Sequence, residues 1–481
     1  MLALNAMMAA VSTFLFVLVA TLAACSLSVS QGTFTRRTSN PTVIFCTSEL
    51  EHFTSGGAGV VVADSARSLS LGGWRVLIVL DVVGDAQAAL DTWRQRAIQT
   101  WGPASKPFKL DIELFLLSDL AKHAGFQHRA MNLMIWHKSE QWARAIKQIA
   151  GHIDAIEFWD CGAPAYHTLL WRLMDTRRYS SAAPGTNSSS PQIWIRTHGL
   201  HQAIVGGEDI ALTSLFSMEK RALQLADAVI ANSPGVAREY QTKHNLDPGR
   251  IAVIPPTLGT LATYDDPHRV FQHLSHDSTK TRSSIGAHTS ILPKITDQKN
   301  ILVYGKLARV KGPDIAAKAI VRVMRELSSS WSGSVVFAGD DVPCDIEPAI
   351  KMSTCILLSD VPPDFRHRFR FVGRVRRGAL GSFAEEQRIA FVILPSRYET
   401  FCLAAHDAAN FGLPVVLPRL PAYEGFFHDR QNALMFDGGS ADDLARVCEM
   451  ALSEGDLLRG IAGKHLRYPN PLIGYHQLVA W

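Results

Sequence analysis

Residues 391–417 read FVILPSRYETFCLAAHDAANFGLPVVL, and the fold is decided there. Phe391, Val392, Ile393 and Leu394 form a short apolar run of the kind that makes a buried parallel strand. Pro395 and Ser396 break it. From about 400 to 410 the pattern turns helical, and Gly412 then Pro414 supply the stop, a residue at ease in the left-handed region followed by one that cannot continue a helix. Val415, Val416 and Leu417 begin the next strand. The unit is strand, turn, helix, strand, with Glu399 at the turn and Asp407 on the helix. In open α/β sheets ligands bind beyond the carboxyl ends of the strands, which is where Glu399 falls. The amides at the start of the following helix are suited to a phosphate.

The order PSRYETF, an acid eight positions after Glu399, then GLPVV, resembles the donor-sugar motif of the family 4 retaining glycosyltransferases (glycosyl transferases group 1). That motif is glutamate, seven residues, glutamate; here the second acid is Asp407. The resemblance implies an α/β protein of GT-B architecture, two Rossmann-like domains facing a central cleft. It also implies that Glu399, Thr400, Phe401, Cys402, Leu403 and Asp407 surround the donor, with Glu399 at the sugar hydroxyls and Asp407 at the ribose.

The chain has 481 residues, 47% hydrophobic and 19% charged, enough for two large domains with sizeable cores. A formal net charge of +4 with no interleaved basic and aromatic stripe gives no reason to expect nucleic acid. Seven cysteines are scattered without metal or disulfide spacing. Residues 1–32 carry no charged side chain, and the apolar run 14–25 has the length of a signal-peptide core. Arg36 and Arg37 follow it, an order that favours a cytosolic domain behind an anchor. Residues 1–40 are therefore expected to be a signal peptide or membrane anchor with a short tether, the choice between them left open. The expected location is membrane-associated or secretory, on an undetermined side.

Residues 41–258 read as an amino-terminal Rossmann-like domain on the acceptor side. Thr42 to Phe45 is a strand, a polar loop leads to Gly56, Gly57 and Gly59, helical spacing follows, and RVLIVL at 75–80 is the second strand. The glycines close neither a phosphate P-loop nor a dinucleotide fingerprint, but in the resembled family such a loop borders the donor and acceptor cleft. Ala155 to Phe158 reads as a strand end, with Glu157 and Asp160 taken as solvated loop carboxylates. Ile193 to Arg196 is another strand, ending at His198, and family 4 enzymes carry a histidine there near the donor sugar.

Residues 259–300 lack a sustained period and read as a linker or insertion. Residues 301–481 read as the nucleotide-sugar-binding domain. Its first strand runs straight into Gly305, Lys306, Leu307, Ala308, Arg309, Val310, Lys311 and Gly312. A departing diphosphate is best stabilised by cations fixed in advance, and Lys306 and Lys311 sit in the turn between strand and helix. The family pattern there is Gly-Arg-Leu, three residues, Lys-Gly, so Lys306 keeps the charge of the arginine and loses its fork. Phe371 and Val372, at a later strand edge, match a segment that lies near the nucleotide base.

Together these imply a retaining transfer of a sugar from a nucleoside diphosphate to an acceptor hydroxyl, with Glu399, Lys306, Lys311 and His198 as the catalytic set. The donor is a substrate, and no further cofactor or metal is implied. The acceptor is a carbohydrate, lipid or protein. An epimerase on the same fold and a catalytically weakened nucleotide-sugar-binding protein are the alternatives.

Overall fold

The computed structural model describes residues 40–50, 57–81, 111–123, 134–149, 152–179, 190–200, 213–258, 263–264, 300–462, 464 and 466–480. Residues 1–39 of the expected signal peptide or anchor and tether (1–40), and nearly all of the expected linker, lie outside them.

The first half is built on seven strands: β1 (Thr42–Thr47), β2 (Arg75–Leu80), β3 (Ile112–Leu116), β4 (Ala155–Trp159), β5 (Gln192–Arg196), β6 (Ala228–Ala231) and β7 (Ile251–Val253). They pair in the order β3-β2-β1-β4-β5-β6-β7, and every pairing is parallel. After the short β8 (Thr263–Tyr264), the second sheet holds β9 (Asn300–Tyr304), β10 (Val335–Ala338), β11 (Phe369–Phe371), β12 (Ile389–Ile393), β13 (Val415–Pro418) and β14 (Leu434–Phe436). Its order is β11-β10-β9-β12-β13-β14, again all parallel. In both orders the chain steps outward from a central strand and then restarts on its other side. That reversal, next to β1 and next to β9, opens a crevice at the carboxyl ends of the strands.

Both faces of each sheet are covered, which is why the strands read as unbroken apolar runs rather than alternating ones. Ile44 and Cys46 of β1 face one core with Leu77 and Val79, while Val43 and Phe45 face the other with Val76 and Ile78. In the second sheet Ile301 and Val303 join one core and Leu302 the opposite one.

The chain does not stay in the second half to its end. After β15 (Arg467–Tyr468), which pairs with β8, the helix Pro471–Ala480 returns to the first half. Leu472, Tyr475 and Leu478 are buried against Val43, Phe45 and Trp74. The ring of Tyr475 lies 6.4 Å from Phe45 and 6.3 Å from Trp74, both edge-on. The last helix thus crosses the boundary between the halves, because it finds its apolar partners on the first sheet.

The cysteine reading is also corrected. Cys344 and Cys355 pair as a disulfide with Cα atoms 6.2 Å apart. The backbone explains the approach: Pro343 bridges Lys351, and the Cys344 amide donates to the Ile350 carbonyl at 2.9 Å, so the segment folds back on itself. Spacing alone gave no sign of that return.

Candidate active site

A cleft of about 1720 Å³ runs between the carboxyl edges of the two sheets. From the second half it is lined by Tyr304, Gly305, Lys306, Lys311, Arg374, Arg377, Glu399, Thr400, Phe401, Cys402, Leu403 and Asp407, among others. From the first half come Thr47, Glu49, Ala58, Glu157, His198 and Asn232. The two second-half loops are locked together. The Arg397 amide donates to the Val310 carbonyl at 2.8 Å, and its guanidinium grips Asp314 at 2.8 and 2.6 Å. The turn after β9 and the turn after β12 therefore present their side chains as one surface.

Glu399 is 8% exposed and accepts hydrogen bonds at 2.7 Å from both Lys311 Nζ and Ser396 Oγ. Burial alone would lower the Lys311 ammonium, but the Glu399 carboxylate outweighs it and holds the group above its ordinary value. Lys311 is therefore a cation throughout the neutral range. Lys306 is exposed and faces the same cleft. The helix Leu403–Asn410 starts beside them, with Cys402 at its cap in the left-handed region at φ 61°. Burial, reinforced by Glu399, pushes the Cys402 thiol up to about 12, so it stays protonated and inert. Phe401 is buried, stacked on His406 with ring centroids 3.9 Å apart, so its ring supports the turn from behind.

Asp407 is 3% exposed and accepts from Arg377 Nε at 2.7 Å. Arg377 also reaches Asp64 on the helix Gly57–Leu71 at 3.3 Å, across the cleft in the first half. Neither Arg377 nor Asp64 was singled out from the sequence. The signal was present as three arginines, 374, 376 and 377, directly after the Gly373 strand edge. Phe371 and Val372 lie just before this stretch. Phe371 stacks on Phe337 at 4.8 Å, and the cleft wall is formed by the residues that follow, from Arg374.

On the first-half wall, His198 lies two residues beyond the end of β5. Burial, helped by Arg196, holds its imidazole down at about 3, which makes it a neutral hydrogen-bonding group rather than a cation. Its amide and that of Gly199 donate to Asp160 at 2.9 and 3.2 Å. Asp160 also accepts from the Tyr240 hydroxyl, which is hydrogen-bonded to Tyr398 beside Glu399. Burial raises Asp160 to about 6 against the pull of these donors.

The reading of Glu157 and Asp160 as solvated is overturned: they are 4% and 2% exposed. Glu157 receives Arg196 Nε at 2.6 Å and the Tyr475 hydroxyl at 2.8 Å. Arg196 spends its other nitrogens on Asn232, the Ile254 carbonyl and Tyr475. Of the glycines, Gly56 lies outside the described residues, and Gly57 begins the helix that carries Asp64. Gly59 lies between Ala58 and Val60, which line the cleft; a Cβ there would meet the Leu50 backbone at 2.8 Å, so its glycine serves close packing of loop on helix.

Comparison with known proteins bears on the family and the fold. The family model for Glycosyltransferase Family 4 matches residues 55–258, and that for Glycosyl transferases group 1 matches residues 298–454. A D-inositol 3-phosphate glycosyltransferase from Streptosporangium roseum is 25% identical over 240 residues, 48% of each chain. One from Acidothermus cellulolyticus is 26% identical over 269 residues, 52% of each chain. The chain thus spans about half the length of the curated relatives it matches. Among solved structures, HepE of Anabaena in complex with UDP and glucose has a TM-score of 0.53 at 14% identity, covering 92% of this chain and 96% of that one. Sucrose-phosphate synthase from Thermosynechococcus elongatus gives 0.57 at 16% identity, with 92% and 94% covered. At these identities the likeness speaks for the fold, which is GT-B. With its two halves matched in order by the two models, the chain belongs to the family 4, or group 1, glycosyltransferases.

Proposed function

We propose that the protein transfers a sugar from a nucleoside diphosphate to an acceptor hydroxyl with retention at the anomeric carbon. The observation that carries this is the Lys311–Glu399 pair at 2.7 Å on the cleft wall, with Lys306 beside it on the same loop. A bound donor has a partner for each group: the diphosphate for Lys306 and Lys311, and the sugar hydroxyls for Glu399. Cations fixed before the reaction stabilise charge as it develops on the leaving phosphate without reorganising. The bond from the anomeric carbon to the phosphate oxygen breaks, and the acceptor oxygen bonds to the same face. Its proton passes to the departing phosphate, so no separate protein base is needed. The relatives' names support the choice of a sugar donor, and HepE is described with UDP and with UDP-glucose.

A thermal-shift series with UDP-, GDP- and ADP-sugars is expected to raise the melting temperature with one base class, since a ligand bound only by the folded state adds stability. Glu399→Gln is then expected to keep diphosphate binding and lose transfer by about 100-fold or more. Failure of every nucleotide sugar to bind folded protein would overturn the proposal. On the uncharged run 1–32 we further propose membrane association. Carbonate extraction that frees the full chain and a chain beginning at Pro41 equally would refute it.

A further inference from the structure

Arg377 joins the two walls of the cleft, and it is only partly used. Its Nε donates to Asp407 at 2.7 Å and its Nη1 to Asp64 at 3.3 Å, while Nη2 is buried with no hydrogen-bond partner among the described residues. A buried guanidinium nitrogen is costly to leave without an acceptor. Here the nitrogen belongs to a side chain on the cleft wall, next to Asp407, the carboxylate that the family resemblance sets at the ribose. Asp407 itself is short: its carboxylate sits one methylene nearer its own helix than a glutamate would place it. The guanidinium clamped on it extends that reach with a donor fork of fixed geometry.

We propose that Arg377 is a ribose-recognition residue, which holds Asp407 in position and gives Nη2 to a ribose oxygen of the bound nucleoside diphosphate. Nη1 ties this pair to Asp64, so that the recognising group is braced from the opposite half. The inference rests on the proposed nucleotide-sugar function and narrows it, since a residue reading ribose selects the sugar of the nucleotide rather than the sugar being transferred.

Titration calorimetry with UDP, GDP and ADP, each against its 2′-deoxy and 3′-deoxy forms, tests this. Wild type is expected to bind one ribonucleotide about tenfold tighter than at least one of its deoxy forms. Arg377→Met is expected to bind both alike, near the affinity of the weaker form. If Arg377→Met lacks a cooperative melt, Arg377→Lys carries the same expectation, because it keeps a cation between the two aspartates without the second nitrogen. Two results overturn the inference: a ribose preference that survives in the Arg377 variants, or an equal loss for ribo and deoxy forms that assigns the guanidinium to the diphosphate. Absence of binding by every nucleoside diphosphate in wild type would remove this inference and the proposed function together, whereas the first two outcomes leave that function standing.

Discussion

The two halves of the molecule each hold a glutamate against a basic side chain, at 2.6 Å for Arg196–Glu157 and 2.7 Å for Lys311–Glu399. The side chains of the first pair are 1% and 5% exposed; in the second, Lys311 is 36% exposed. Arg196 is also capped by Asn232, the Ile254 carbonyl and Tyr475, so its donors are consumed. Lys311 has donors left for a ligand. Nearly equal pair distances therefore correspond to different work: one pair closes a core, and the other holds a cation ready beside open space. Solvent access and the number of remaining donors separate them, not the strength of the contact.

Removing Arg196 should separate the pairs most strongly. Arg196→Met strands Glu157 in the core, and the loss of one partner of a buried pair costs about 3–5 kcal/mol. Urea denaturation should show that loss, with unchanged nucleotide affinity in the fraction that remains folded. A denaturation midpoint like that of wild type would remove the distinction.

The next largest effect is a pH dependence. Asp160 has a folded pKa of about 6 against an ordinary 3.8, so the native state holds its proton longer than the unfolded state does. Its contribution to stability is complete below the ordinary value and is lost as pH rises through about 6, a difference of about 3 kcal/mol. His198 and His406, each held near 3, act in the opposite sense: they favour the fold above about 6.5 and lose that effect as pH falls. The comparison with Asp160→Asn isolates the carboxylate. Relative to that variant, wild type should lose stability between about pH 4 and pH 7; a constant difference across the range would contradict the assigned burial.

On the cleft side, Lys306→Met should lower kcat/KM by about 100-fold, or ~2.7 kcal/mol. Its unfolding midpoint should stay within about 0.5 kcal/mol of wild type, as expected for an exposed side chain. Equal losses of activity and stability would make Lys306 a structural residue like Arg196. The smallest effect is expected at the contact between the halves. A Cβ on Gly235 would lie 2.2 Å from the Pro421 carbonyl oxygen, so Gly235→Ala should cost about 1 kcal/mol or somewhat more. Small-angle scattering should register a wider cleft; an unaltered profile would show that the contact yields elsewhere.

The same contrast explains how much was legible in the sequence. β2 could be read at its observed bounds because a strand buried on both faces is a continuous apolar run. Glu399 and Lys311 were legible because each lies within one local strand-turn-helix unit. Glu157 was misread because its neutralising partners are remote in sequence: Arg196 lies 39 residues away and Tyr475 318. A short sequence window reports a carboxylate, whereas burial is decided by what packs over it. The link from Arg377 to Asp64 was hidden for the same reason, since it spans 313 residues.

The return of Pro471–Ala480 to the first sheet also sets an order of assembly. A ribosome releases residues 42–253 well before it reaches Tyr475, yet Tyr475 caps Arg196 and Glu157 and fills the core beside Trp74. On the nascent chain the amino-terminal sheet must therefore wait with one face covered only in part, by the helix Gly57–Leu71, and with one ion pair lacking its tyrosine. The second sheet can already close, and its completion delivers the helix that seals the first. In this molecule the half made first is the half finished last.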